Sequence, residues 1–229
     1  MIQLFELAGS DPKRTFSPYC WRIRMALAHK GLEVESVPWR FKDAALIAPS
    51  GQARVPVLVH EGKWLHESWD IACYLEDTFS DRPSLFGGAA GRSLSRFYTH
   101  YGEALSASLA RFCMRDILDH LDSVDAAYFR ESREKRFGVT LEAFVADRDQ
   151  RLATFRESLA PLRSTLKAQP FLGGAQAMYA DYSVFGHFQW ARAVSPYQLL
   201  EPDDPVAQWR DRLLDAFGGL ARSSPGYDR

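Results

Sequence analysis

A chain of 229 residues has room for one large domain or two small ones. With 46% apolar and 25% charged residues, 15 Gly and 12 Pro, it is not collagen-like, low-complexity or disordered. Its 28 basic and 29 acidic residues leave a formal charge of −1, too balanced for a protein that wraps nucleic acid.

No run approaches the ~18 apolar residues of a membrane span, and Met1–Leu7 is too short for a signal peptide and lacks its basic start. The expectation is a cytoplasmic protein with no membrane partner. Cys20, Cys73 and Cys113 are odd in number and widely spaced, which fits neither a disulfide framework nor paired zinc ligands. They read as reduced thiols, and no metal is expected.

Ile2–Leu7 reads as a strand. Ser17–Lys30 follows as a helix with apolar residues at Tyr19, Ile23, Ala26 and Leu27, ending at Gly31. Val34–Trp39 is a second strand. Val55–Val59 and Lys63–His66, joined by Glu61-Gly62, form a hairpin, and Glu67–Phe79 is a helix. This order predicts a four-stranded mixed sheet flanked by helices, with a right-handed β-α-β crossover.

Asp81-Arg82-Pro83 and the glycines at 87, 88 and 91 break the pattern and mark a linker. Beyond it only helical patterns remain, at Ser93–Leu121, Leu141–Ala168, Asp181–Val194 and Asp203–Leu220. The predicted organisation is a sheet domain over residues 1–80, a linker over 81–92 and an all-helical domain over 93–229.

Ser17-Pro18 opens the first helix with a hydroxyl at the N-cap and proline at the first helical position. Unpaired N–H groups and the helix dipole favour an anion there. Residues 11–43 add Lys13, Arg14, Arg22, Arg24, Lys30, Arg40 and Lys42 against Asp11, Glu33, Glu35 and Asp43. A thiol presented at Ser17 would therefore ionise below the ~8.5 of a free cysteine. Cys20 stands where a Cys-x-x-Cys motif has its second thiol. With Ser17 in the first position no internal disulfide can cycle there.

Val55-Pro56 places a proline at a strand start, where a cis peptide would leave the Val55 backbone as a template for an extended peptide. Glu67-Ser68 opens a helix directly after a strand, suiting a carboxylate and an ammonium. A thiol site, a peptide-backbone site and an amino-acid head-group site together fit glutathione.

Ser17-Pro18-Tyr19-Cys20-Trp21-Arg22, Arg54-Val55-Pro56-Val57-Leu58 and Glu67-Ser68-Trp69-Asp70-Ile71, in this order, resemble the cytosolic glutathione transferase family across essentially the whole chain. Ser-Pro-Tyr, Asp81-Arg82-Pro83-Ser84-Leu85-Phe86, Phe171-Leu172-Gly173-Gly174 and Ala180-Asp181-Tyr182-Ser183 resemble most closely its bacterial lignin β-etherase-like branch.

The resemblance implies an α/β thioredoxin-like N-terminal domain plus an all-α C-terminal domain. Ser17 would stabilise the glutathione thiolate. Val55, before a cis Pro56, would pair with the cysteinyl backbone. Glu67 and Ser68 would hold the γ-glutamyl end, and Arg54, with Lys42 or Gln52, the glycyl carboxylate. It further implies a hydrophobic electrophile as second substrate, which in the β-etherase branch is a β-aryl ether, and a homodimer. A generalist transferase or peroxidase, and a non-catalytic glutathione-binding protein, remain the alternatives. One departure stands out: Met178 occupies the capping position where the family has Ser or Thr before Asp181.

Overall fold

The computed structural model describes residues 1–228. Its first part comprises β1 (Ile2–Leu7), α1 (Pro18–His29), β2 (Val34–Trp39), a 3-10 segment at Ala44–Ser50, β3 (Val57–His60), β4 (Lys63–His66) and α2 (Ser68–Thr78). The strands form one mixed sheet in the order β2-β1-β3-β4. β1 runs parallel to β2 and antiparallel to β3, which pairs antiparallel with β4, as the strand-helix alternation predicts. Because β2 is an edge strand, its Pro38 costs no ladder bond to a further strand.

Successive strand residues face opposite sides of the sheet. Leu4 and Leu58 join Trp21, Ile23 and Leu27 of α1 and Ile71 and Leu75 of α2 in the main core. Phe5 and Val57 turn the other way and pack with Trp39 and with Ile47 of the 3-10 segment. Sheet and helices thus hold the start of α1, the residues before β3 and the start of α2 in fixed mutual positions.

The helical part comprises α3 (Ala89–Cys113), a 3-10 turn at Arg115–His120, α4 (Ser123–Phe137), α5 (Leu141–Val145), α6 (Arg148–Ser158), α7 (Ala160–Ala168), α8 (Tyr179–Val194) and α9 (Pro205–Gly219). Three differences from the predicted helices have physical causes. Ser123–Phe137 is a helix that the apolar pattern misses, because only Asp125 and Phe129 of its residues are buried. The stretch 141–168 is three helices, broken after Val145 and Ser158. In α9 the backbone leaves the helical region at Ala216–Gly218, which sets Phe217 against His29 and Tyr182.

α8 is buried along its whole length, the pattern of a helix enclosed on every side. It packs against α3 and α1 at positions without side chains. A Cβ on Gly186 would lie 2.3 Å from the Pro18 carbonyl oxygen, and one on Gly102 would lie 2.8 Å from that of Ser183. Only glycine permits these approaches, and they seat the two parts of the chain against each other at the first turn of α1.

The missing hydroxyl at Met178 is offset by Asp181. Its carboxylate accepts from the backbone N–H groups of Leu172, Gly173 and Met178 and from the Trp209 indole, so the half of the capping box that remains is extended into a fourfold acceptor.

Candidate active site

At the first turn of α1, Ser17 has extended backbone and its Oγ accepts from the Cys20 N–H at 3.3 Å. As an acceptor there it keeps its own O–H for donation. The neighbouring thiol is not a nucleophile. Cys20 is fully buried, and burial followed by the Glu6 charge pushes its pKa up to about 12. Cys73 and Cys113 are also free thiols, Cys113 buried with its pKa pushed upward.

A cleft of about 250 Å³ opens beside this turn, lined by Tyr19, Gln52, Arg54, Val55, Pro56, His66, Glu67, Ser68 and Glu103. The Val55–Pro56 peptide bond is cis. Pro56 is buried and Val55 half-buried, while Arg54 is exposed. Gln52 lies within 3.3 Å of His66 Nδ1 through its amide nitrogen.

Glu67 precedes α2 with φ 63° and ψ 116°, a backbone region that costs a non-glycine residue roughly 1–3 kcal/mol. Its side chain makes no cap bond and stays exposed, whereas Ser68 is buried and its carbonyl accepts from the Tyr179 hydroxyl of α8 at 2.9 Å. The strained corner is thereby tied to the helical part.

Of the residues singled out from sequence, Gln52, Arg54, Val55, Pro56, Glu67 and Ser68 come together in the cleft, and Ser17 lies two residues from Tyr19 on its wall. Lys42 is placed elsewhere. Its ammonium is 2.8 Å from Asp122, the carboxylate that caps α4 and also pairs with Arg40. Attraction to this acid draws both cations away from the cleft and holds Asp122 down at about 2, where cap hydrogen bonding is the largest cause and Lys42 the next.

His66 and Glu103 line the cleft without having been singled out. Proximity to Glu67 is a local signal for His66, but nothing near Glu103 in the chain marks it. Tyr19 is the aromatic residue that lines this cleft. Phe16, Phe112 and Trp190 are buried in the core, and Tyr101 packs against Phe97 and Tyr98.

The family model described as glutathione S-transferase, N-terminal domain, matches residues 16–78, and the one described as glutathione S-transferase, C-terminal domain, matches residues 94–217. The chain belongs to the glutathione S-transferase family. Among its relatives, Glutathione S-transferase U22 of Arabidopsis thaliana is 25% identical over 83% of this chain and 78% of its own length. Probable glutathione S-transferase GSTU6 of Oryza sativa subsp. japonica is 27% identical over 89% and 84%.

The same fold occurs in the Ceriporiopsis subvermispora glutathione S-transferase CsGST63524, solved in complex with glutathione, at a TM-score of 0.78, 22% identity and coverage of 94% of this chain and 96% of that one. It occurs also in the β-etherase LigF of Sphingobium sp. strain SYK-6, at a TM-score of 0.68, 21% identity and coverage of 96% and 98%. Among the described residues no helix is long and apolar enough to cross a membrane, and no cluster of metal-ligating side chains occurs.

Proposed function

We propose that this glutathione S-transferase ionises glutathione at the start of α1 and directs the thiolate at a hydrophobic electrophile. The observation that carries the reading is the convergence of the Ser17-capped helix start, Val55 before the cis Pro56, and Glu67-Ser68 around one cleft. In this reading the Ser17 hydroxyl donates to the sulfur, and the open N–H groups of α1 add their partial positive charge. The Val55 backbone pairs with the cysteinyl residue. Ser68 and the start of α2 take the γ-glutamyl carboxylate, Glu67 takes its ammonium, and Arg54 with Gln52 meets the glycyl carboxylate.

The chemistry is a displacement. The sulfur lone pair forms a C–S bond to the electrophilic carbon, and the bond to the leaving group breaks with its electron pair. With a β-aryl ether ketone, the leaving group is an aryloxide and the products are a glutathionyl ketone and, after protonation, a phenol. The motifs shared with the β-etherase-like branch support this substrate class. The protein contributes thiolate stabilisation and positioning.

The helical side presents an aromatic cluster of Phe97, Tyr98 and Tyr101, with Phe97 62% exposed. We propose that it contributes to a homodimer, which sedimentation reads as a species of twice the chain mass. The free thiols accord with a reducing cytoplasm.

Calorimetry with glutathione, followed by thiol consumption in the presence of β-aryl ether ketones, chloronitrobenzenes and peroxides, tests the reading. Binding with turnover of the aryl ethers supports the β-etherase assignment. Turnover of chloronitrobenzene or peroxide alone makes the protein a generalist. Binding without any turnover makes it a binding protein, and absence of binding overturns the proposal.

A further inference from the structure

Seven basic residues between positions 11 and 43 give the sequence around α1 its positive balance, but the fold disposes of most of them. Arg24 pairs with Glu6, Lys30 with Glu76, and Arg40 and Lys42 with Asp122. Arg14 donates to the Ala193 carbonyl at the surface of α8, and Lys13 is exposed. Arg22 is different: it has no exposed surface at all.

The hydrogen-bond partners of Arg22 are neutral. Nε donates to the Ser183 carbonyl at 3.2 Å and Nη2 to His187 Nε2 at 2.7 Å, and Nη1 is buried without a partner. Since Nε2 of His187 accepts from a guanidinium, the imidazole carries its proton on Nδ1 and is uncharged. That Nδ1 is likewise buried without a partner, and burial followed by the Arg22 charge drives the His187 pKa well below its ordinary value. A guanidinium does not shed its proton in a protein. The groups facing it are Tyr19 on its own helix, Tyr179 and His187 on α8, and Glu103 on α3; burial, which disfavours its charged form, outweighs them all.

Glu103, the one carboxylate among these groups, acts on the guanidinium without bonding it and ranks behind Tyr179 and Tyr19. A buried ion with no directly bonded counter-ion is costly, and its position shows where its field falls. The guanidinium stacks on Tyr19 at 4.8 Å from the ring centroid, and Tyr19 lines the cleft. The Tyr19 ring thus lies between the buried Arg22 guanidinium and the cleft, whose lining also includes the Glu103 carboxylate.

We propose that Arg22 is the distant counter-charge of the bound thiolate, stabilising the ionised sulfur across the Tyr19 ring while touching neither sulfur nor electrophile. It is a positioning residue in electrostatic terms, and the inference rests on the glutathione reading of the cleft. At an effective dielectric of ~20 and a separation of ~10 Å, a unit charge moves a titration by about one pKa unit, a tenfold change in the acid dissociation constant. When glutathione ionises, its thiol proton leaves to solvent, and the anion that remains sits in the field of Arg22.

The test is ultraviolet titration of the bound thiolate in Arg22→Met, Arg22→Lys, His187→Glu and His187→Gln, with glutathione affinity measured by calorimetry. Arg22→Met removes the charge and should raise the thiol pKa by about one unit. Arg22→Lys keeps a charge and should stay nearer the wild type, even where its melting temperature falls. Should Arg22→Met not fold, His187→Glu decides, because a carboxylate at that position supplies a directly bonded counter-ion without removing Arg22. It should keep or raise thermal stability while raising the thiol pKa, and the neutral His187→Gln should leave the pKa near the wild-type value. Glutathione binding with the same thiol pKa in every folded variant overturns the role of Arg22 and leaves the cleft assignment intact. Failure of the wild-type protein to bind glutathione overturns both.

Discussion

The two walls of the cleft are built on different principles. The wall from the sheet side consists of backbone features in fixed positions: the Ser17 cap, the residues before β3, and the strained Glu67 corner. The wall from the helical side contributes Glu103, while Phe112 and Trp190 are buried in the core and Tyr101 packs with Phe97. A peptide ligand of constant structure suits a rigid, locally encoded wall. The opposite wall is set by how long helices pack, and its chemistry can change without disturbing the first.

The helical side should be the more easily unfolded of the two by a single substitution. Asp181→Ala leaves three backbone N–H groups and the Trp209 indole N–H without their acceptor, and the expected loss is about 3–5 kcal/mol of stability. Denaturant unfolding measures it. A loss below about 1 kcal/mol would show that the α8 start is held by packing alone.

On the sheet side the largest effect should fall on chemistry rather than stability. In the proposed function, Ser17→Ala should remove a hydrogen bond to the thiolate worth about 1.5–3 kcal/mol, a roughly 10- to 150-fold loss of turnover with a raised thiol pKa, alongside about 1 kcal/mol of helix capping. Steady-state kinetics and ultraviolet titration separate the two contributions. An unchanged thiol pKa would remove Ser17 from the mechanism.

Glu67→Gly sharpens the contrast by setting stability against binding at one residue. Glycine tolerates φ 63°, so the melting temperature should hold or rise by the equivalent of about 1 kcal/mol. Glutathione affinity should fall about tenfold, the value of one charge-assisted hydrogen bond. Calorimetry showing wild-type affinity would detach Glu67 from the ligand.

The smallest effect separates two cations that the sequence treats alike. Arg54→Ala should weaken glutathione binding severalfold. Lys42→Ala should change it less than about twofold, because Lys42 is engaged with Asp122 and exposed ion pairs contribute little. Equal losses in the two variants would place Lys42 back at the cleft.

What could be read from the chain follows the range of the interactions involved. The four-stranded sheet, the N-cap at Ser17 and the helix start at Ser68 are written in neighbouring residues, so alternation and capping rules reach them. The polar helix Ser123–Phe137 escaped because its buried face is nearly confined to Phe129, leaving hydrophobic periodicity little to detect. Lys42 could not be told from Arg54 in sequence, since its partner Asp122 lies 80 residues away.

By itself, then, the sequence determined the chain of local elements and the backbone corners that make one wall of the cleft, because each depends on residues a few positions apart. Tertiary structure alone decided which charges are neutralised and which are not. Arg22 and Arg24 are two residues apart, yet one is buried against a neutral histidine from α8 and the other pairs with Glu6. Helix packing through Gly186 and Gly102 brings α8 and α3 against α1, and electrostatic environment, unlike helix capping, is a property of everything within about 10 Å in space rather than along the chain.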